Sequence, residues 1–182
     1  MKNPNPSQIR PQHGATLIEV MVSLLIVSFG VLAMLAPQTN AIKYTKTSEY
    51  RSIATLLAND LGDRMRVNRA GVAAGSYTVS DRYVRPTAVP DRRECGDPNA
   101  CAPADLALRD VSEWRRALFF SLPGGAGFVR PLATNDAADV WIAWTDPGEA
   151  NPADNTSGCP AAFQPTSAVP ATLHCVYFRI AL

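Results

Sequence analysis

An α+β fold with a long N-terminal helix set against a C-terminal antiparallel sheet is predicted by three observations. The first is an almost uncharged apolar run near the N-terminus that leads into an amphipathic stripe at helical spacing. The second is another helical stripe over Asp105–Ser121. The third is a set of alternating segments between Gly127 and Leu182. The chain has 182 residues, a length suited to one domain. Hydrophobic residues make up 47% and charged residues 18%, which excludes disorder as the main state. Lys plus Arg is 17 and Asp plus Glu is 16, a net charge of +1. That balance argues against a nucleic-acid binder and against a polybasic membrane-surface protein.

The first 14 residues, MKNPNPSQIRPQHG, are polar, hold Lys2 and Arg10, and contain no acid. From Ala15 to Ala36 the chain reads ATLIEVMVSLLIVSFGVLAMLA, with Glu19 as its single charge. As a helix this run spans roughly 33 Å, enough for a bilayer core. A buried core helix would show a polar stripe, which is missing here. The cationic leader keeps the N-terminus cytoplasmic and sends the rest across the membrane. The rival reading is a conventional secretory signal with cleavage after Thr39-Asn40-Ala41. Its apolar region is usually about 7–15 residues long and gains nothing from a carboxylate. An unpaired carboxylate inside hydrocarbon is costly, about 2.5–3.5 kcal/mol for Asp on insertion scales, so Glu19 points to a partner cation.

Pro37 removes a helix hydrogen bond and predicts a kink there, with Gly30 inside the run before it. The helix resumes beyond Pro37. Ile42, Tyr50, Ile53, Leu57, Leu61 and Met65 recur at mostly three- and four-residue steps, while Lys43, Arg51, Thr55, Asn59 and Asp63 take other faces. This stripe is expected to pack on a sheet, with the helix ending between Asn68 and Gly71. Ser76–Val79 reads as a short strand. Pro86, Pro90, Pro98 and Pro103 then punctuate a loop.

In the second helix, Asp105–Ser121, the stripe is Val111, Trp114, Leu118 and Leu122. Asp105 serves as N-cap or biases the first turn, and Pro123-Gly124-Gly125 stops the helix. Gly127–Leu132 reads as a strand. Val140–Trp144 is another, with Val140, Ile142 and Trp144 on one face. Asp146-Pro147-Gly148 is turn chemistry, residues 149–170 form a surface loop, and Leu173–Leu182 closes the chain as a strand.

Gly14 followed by Ala15-Thr16-Leu17-Ile18-Glu19-Val20 resembles the N-terminal signal of type IV pilins and type II secretion pseudopilins. The resemblance covers the leader and the start of the apolar helix. It implies cleavage by a prepilin peptidase between Gly14 and Ala15, and N-methylation of Ala15. It also implies assembly with other minor and major pilins from the inner membrane, the head lying in the periplasm. The first mature residue is usually Phe in that family and is Ala15 here. The cleaved Ala15 carries a positive α-amine, which the Glu19 of a neighbouring subunit can pair inside an apolar assembly and so set register. The resemblance divides the chain into a leader (1–14), a transmembrane assembly helix (15–36) and a pilin-like periplasmic domain (37–182). Residues 105–145, with Trp114, Leu118, Leu122-Pro123-Gly124-Gly125 and Trp144, are similar in spacing to the type IV pilus modification group of minor pilins. A type II secretion minor pseudopilin is the alternative.

Cys95, Cys101, Cys159 and Cys175 all follow the apolar run. An even count in an oxidising compartment implies two disulfides. Three pairings are open. Cys95–Cys101 and Cys159–Cys175 are preferred because each closes a local loop. Zinc binding is disfavoured, since the spacings lack C-x₂-C forms and His174 and Cys175 are strand neighbours pointing to opposite faces. No cofactor is implied. No G-x-S-x-G, H-E-x-x-H or P-loop pattern occurs, so no catalytic residue is assigned. His13 leaves with the leader, and His174 reads as a strand residue. Pro123-Gly124-Gly125-Ala126-Gly127 follows a helix, the reverse of a phosphate cradle, and reads as a turn. Asp91-Arg92-Arg93-Glu94 is a solvated cluster, and Trp141 and Trp144 are expected in the sheet core. Asn155-Thr156-Ser157 matches the N-x-[ST] glycosylation acceptor.

Overall fold

The computed structural model describes residues 14, 16–96, 101–146, 158–165 and 173–182. Residues 1–13 of the leader, the Pro147–Gly148 part of the expected turn, most of the 149–170 loop and Asn155-Thr156-Ser157 lie outside the described residues. The chain divides into two compact units, Met1–Ala41 and Ile42–Leu182.

In the first unit, helix α1 runs over Leu17–Ala33. Its N-cap is Thr16, whose side chain and carbonyl both accept from the Glu19 N–H, at 3.4 and 3.0 Å. Met34 ends it, donating to the Val31 carbonyl. A second helix, α2, then covers Leu35–Val67 and continues into the second unit. The interruption thus falls at Met34, three residues before the expected kink at Pro37. Pro37 has no N–H for the carbonyl of Ala33, and its ring crowds that carbonyl. Placed third in α2, it sits in a first turn whose N–H groups have no intrahelical partner in any case. Among the described residues no helix is long and apolar enough to cross a membrane. Helix α1 has 17 residues. The 33 residues of α2 carry charges from Lys43 onward. The expected span over Ala15–Ala36 is therefore not one uninterrupted helix.

In the second unit α2 is followed by the short helix α3 (Arg69–Ala73) and by α4 (Pro103–Ser121). Strands β1 (Ala126–Pro131), β2 (Ala137–Thr145) and β3 (Leu173–Ala181) form an antiparallel sheet in the order β1-β2-β3. Helix α4 begins with Ala102 as N-cap and Pro103 in the first turn. Asp105 lies inside that turn and is not the cap. Pro is well placed there because its missing N–H would be unpaired anyway.

Helices α2 and α4 bury their apolar stripes against one face of the sheet. From α2 come Ala54, Ala58, Leu61 and Met65, with Tyr50, Ile53 and Leu57 half-buried beside them. From α4 come Val111, Trp114 and Leu118, with Leu122 just beyond it. The sheet supplies Val129, Val140, Ile142, Trp144 and Ile180. Ile42 does not join this core and is 64% exposed, so the packed stripe starts at Tyr50. The opposite face carries Phe128, Trp141, Ala143, Leu173 and Cys175, covered in part by Tyr83, Cys159 and Phe163. With both faces packed, β2 is nearly continuously buried, and its two tryptophans serve different layers.

Ser76–Val79 is not a strand. Only Val79 pairs with β1, exchanging both main-chain hydrogen bonds with Val129. The chain leaves α3 through Gly75 at a φ of +71°, and Tyr77 turns its ring into the core. By residue 83 the chain bonds Phe163 instead.

Helix α4 lies tight on the sheet at Gly127, where an added Cβ would overlap the Trp114 ring. Gly127→Ala should therefore destabilise the protein by about 1–3 kcal/mol, the usual cost of overpacking a well-filled core. Urea unfolding of the two proteins side by side measures the difference. Equal midpoints would show that the ring has room to move.

Candidate assembly site

Helix α1 buries none of its residues. Leu17, Ile18, Val20, Met21, Leu24, Leu25, Ile26, Val27 and Phe29 are among its exposed apolar side chains. Contiguous apolar surface of this kind marks a contact with a membrane or with other proteins. Glu19 lies exposed in the first turn, where a negative charge suits the helix N-terminus. Gly14 is also exposed, and a Cβ built there meets nothing within 4 Å. Ala15, with the cleavage and methylation positions assigned to it, lies outside the described residues.

The second unit is locked by polar frames that the sequence reading missed. In the first, Arg64 of α2 reaches Asp60 at 3.0 Å, Asp110 at 3.3 Å and Glu113 at 3.0 Å. The Tyr77 hydroxyl donates to Asp110 at 2.5 Å. Burial and this hydrogen bond both push the phenol pKa up, so Tyr77 stays a donor throughout the physiological range. Buried Asn68 donates to the Pro103 carbonyl at 2.7 Å, and its side-chain oxygen accepts from Gly71 N–H at 3.1 Å. It therefore caps α3 while holding the start of α4. The Asp60/Arg64 spacing of four residues was a visible signal. Asp110 lies 46 residues from Arg64 and gave none.

The second frame is a charged rung across the sheet. Arg130, Asp139 and Arg179 are directly opposite in register. Asp139 is buried and accepts from Arg130 at 3.1 Å, Arg179 at 2.9 Å and Tyr177 at 2.7 Å. The next rung is aromatic, with Phe128 and Tyr177 on either side of Trp141 at centroid distances of 5.6 and 5.1 Å.

Two disulfides are present. Cys95 is bonded to Cys101 and Cys159 to Cys175, at Cα separations of 5.5 and 5.6 Å. The second ties the 158–165 segment to β3, which closes the layer over the outer sheet face. With all four cysteines oxidised, none offers a thiolate to a metal. Among the described residues no group of three or more His, Cys, Asp or Glu is placed to hold an ion. His174 is a buried strand residue with its ring 4.7 Å from that of Trp144. Pro123–Gly127 is a turn entering β1, with Gly124 at a φ of +65°. In the 91–94 cluster, Arg92 pairs with Glu94 and Glu113, and the Arg93 N–H donates to the Ser112 hydroxyl.

An apolar helix with no buried face, followed by an amphipathic helix laid on an antiparallel sheet, is the α+β build of pilin-like proteins. Two family comparisons agree with it. Residues 36–112 match the family described as type IV pilin Tt1218, and residues 9–35 match the prokaryotic N-terminal methylation motif. The middle of the chain is thus similar to a type IV pilin, and its N-terminus to the methylation motif of such precursors. No curated protein and no solved structure matches the chain.

The polar frames carry a pH dependence. The Arg64 hydrogen bond outweighs burial and, with Arg109, holds Glu113 below its usual range. For Asp139 burial alone would raise the pKa, but hydrogen bonds from Arg179, Tyr177 and Arg130 more than offset it. A lowered folded-state pKa stabilises fully above the unfolded carboxylate value and is lost as pH falls through the folded one. Thermal melts should accordingly show the midpoint falling between roughly pH 5 and pH 2. Asp139→Asn should start from a lower midpoint at neutral pH and lose less on acidification. Parallel acid limbs for the two proteins would remove Asp139 from this role.

Proposed function

We propose that the chain is a minor pilin precursor, most similar to the type IV pilus modification protein PilV. A prepilin peptidase would cut it between Gly14 and Ala15, and the new N-terminus would be methylated at Ala15. It would then join or prime a type IV pilus. Residues 15–36 would hold it in the inner membrane with the head in the periplasm, and later pack among the helices of other pilins. The observation that carries this reading is the Gly14–Glu19 signal running into the first turn of a helix whose apolar side chains are all exposed. Open space around Gly14 adds support, since the fold makes no steric demand for glycine there. A requirement set by a processing enzyme accounts for it.

Within such an assembly the Ala15 amine and the Glu19 of a neighbour would form a buried pair. Removing one partner of such a pair costs about 3–5 kcal/mol, because the other charge is left buried and unpaired. The same precursor chemistry serves a pseudopilus tip in type II secretion. Co-purification with pilus fibres, as against secretion proteins, separates the two.

Mass and N-terminal sequence of the membrane-extracted protein, with and without the prepilin peptidase, test the processing step. The expected result is a peptidase-dependent start at Ala15. An intact Met1, or a start near Ile42, would end the pilin-precursor reading. Glu19→Ala should leave that cleavage largely intact and sharply reduce the amount found in sheared fibres. Normal incorporation of the variant would exclude the register role of Glu19.

A further inference from the structure

Strand β3 forms one edge of the sheet, because the order is β1-β2-β3. Its hydrogen-bonding directions follow from the rest of the ladder. Val129 exchanges its main-chain bonds with Val79, on the side away from β2. By the two-residue period of a strand, Phe128 and Arg130 therefore bond β2. Their partners Trp141 and Asp139 face β1, so Val140 and Ile142 face β3 and bond Phe178 and Val176. The main-chain N–H and C=O groups of Tyr177 and Arg179 are left pointing outward. Two contacts agree with this direction. The Arg66 guanidinium donates to the outward carbonyl of Ala181 at 3.0 Å, and Gly158 stands beside that of Cys175. Between those two covers the edge is open. Among the described residues nothing bonds the main chain of Tyr177 or Arg179, and both residues are exposed.

An open strand edge is a template for pairing with another strand. This one is short and self-complementary. Two copies of β3 can run antiparallel about a two-fold axis at Phe178. Tyr177 then lies opposite the partner's Arg179 on both sides of the axis, and each such pair exchanges both of its N–H···O bonds. Every open main-chain group of the stretch is satisfied in both copies. On the outer face the Tyr177 ring meets the guanidinium of the partner's Arg179, a favourable cation–aromatic pair. Arg179 is free to make it, since its own aspartate, Asp139, engages Nε at 2.9 Å. Moving the axis to Tyr177 or to Arg179 sets like residues opposite each other, two guanidiniums in the second case. It also drives the remaining open residue against Cys175 or Ala181, whose edges are covered.

We propose that the edge of β3 docks a second copy of this chain, in an antiparallel β3–β3 pairing centred on Phe178 that joins two sheets into one. The contact is short, so it needs a high local concentration of the chain. This inference rests on the second unit alone and not on the processing of Gly14 or the assembly role of α1.

The test uses the full chain in a non-ionic detergent over a range of concentrations. Amide hydrogen exchange of the wild type is read first. The Tyr177 and Arg179 amides should exchange freely in dilute samples and slow at least about fivefold in concentrated ones. Those of Val176 and Phe178, already bonded to β2, should not change. Register is then read by oxidising Phe178→Cys. Across the axis its two Cα atoms would lie about 4.5 Å apart, within reach of a disulfide. In Val176→Cys the equivalent separation is about 14 Å. Phe178→Cys should therefore give a covalent dimer and Val176→Cys should not. Adding Tyr177→Lys sets a cation against the partner's Arg179 and should slow dimer formation about tenfold, in samples held below both melting midpoints. Exchange at Tyr177 and Arg179 that ignores concentration would overturn the proposal, whether or not the cysteine variants fold. So would equal crosslinking of the two cysteine variants, which would place the association elsewhere, or undiminished crosslinking after Tyr177→Lys.

Discussion

The arrangement of the second unit depends on where the indole of Trp114 sits. The side chain is fully buried, and its Nε1–H donates to the main-chain carbonyl of Leu57 in α2 at 2.9 Å. The far edge of the ring lies against Gly127 in β1, in the space a side chain would take. One residue of α4 thereby sets its distance to both a helix and a strand. Replacing such a ring by alanine in a packed core costs about 3–5 kcal/mol. Here the same change would also loosen two interfaces at once. A second close approach is at Gly62, where a Cβ would come within 2.6 Å of Ile180, so α2 lies tight on β3.

Around that packing the polar groups act as selectors of position more than as sources of stability. Asp110 is buried, but Arg64, Asp60 and Glu113 are only partly shielded, and exposed ion pairs contribute about 0–1 kcal/mol each. Their geometry is nonetheless specific. Arg64 from α2 can satisfy Asp110 and Glu113 only when α4 lies in one rotation, and that rotation is the one that directs Trp114 and Leu118 inward. Asn68 fixes the other end of the same pair by spending its amide on both α3 and Pro103. The Arg130–Asp139–Arg179 rung works likewise on strand register, because a one-residue slip would carry Asp139 to the face packed against the helices.

Periodicity made the elements legible and left their partners hidden. Tyr50, Ile53, Leu57, Leu61 and Met65 are a readable stripe, as are Val111, Trp114 and Leu118, because a buried helical face must repeat at three and four residues. Ala54 and Ala58 escaped notice since small residues carry little weight in such a pattern, yet they are fully buried. Ile42 fits the helical spacing yet is exposed. Burial at that position depends on what lies opposite, which no local pattern records. Ser76–Val79 has strand-like composition, but Tyr77 is needed in the core, and that tertiary demand overrides the local preference. The signal around Gly14 and Glu19 was legible for another reason. It is a linear motif, so it survives in sequence without any fold to assemble it. The Asp139 rung has no such trace, since its members come from separate strands.

The exposure of α1 sets the remaining constraint. Twelve large apolar side chains between Leu17 and Leu32 stand in the open. Each is worth about 1.5–3 kcal/mol when taken out of water. The core of the second unit is complete from Tyr50 onward and draws on none of them. No folding requirement of the head therefore explains why this helix is apolar on every side. A soluble amphipathic helix would need only one such face. Apolar character all round is explained if the helix is covered first by lipid and then by other helices. The one carboxylate in that setting, Glu19, is then tolerable only where a cation meets it. The α-amine that cleavage at Gly14 would create is a cation of the right charge, close enough in sequence for every incoming subunit to bring its own.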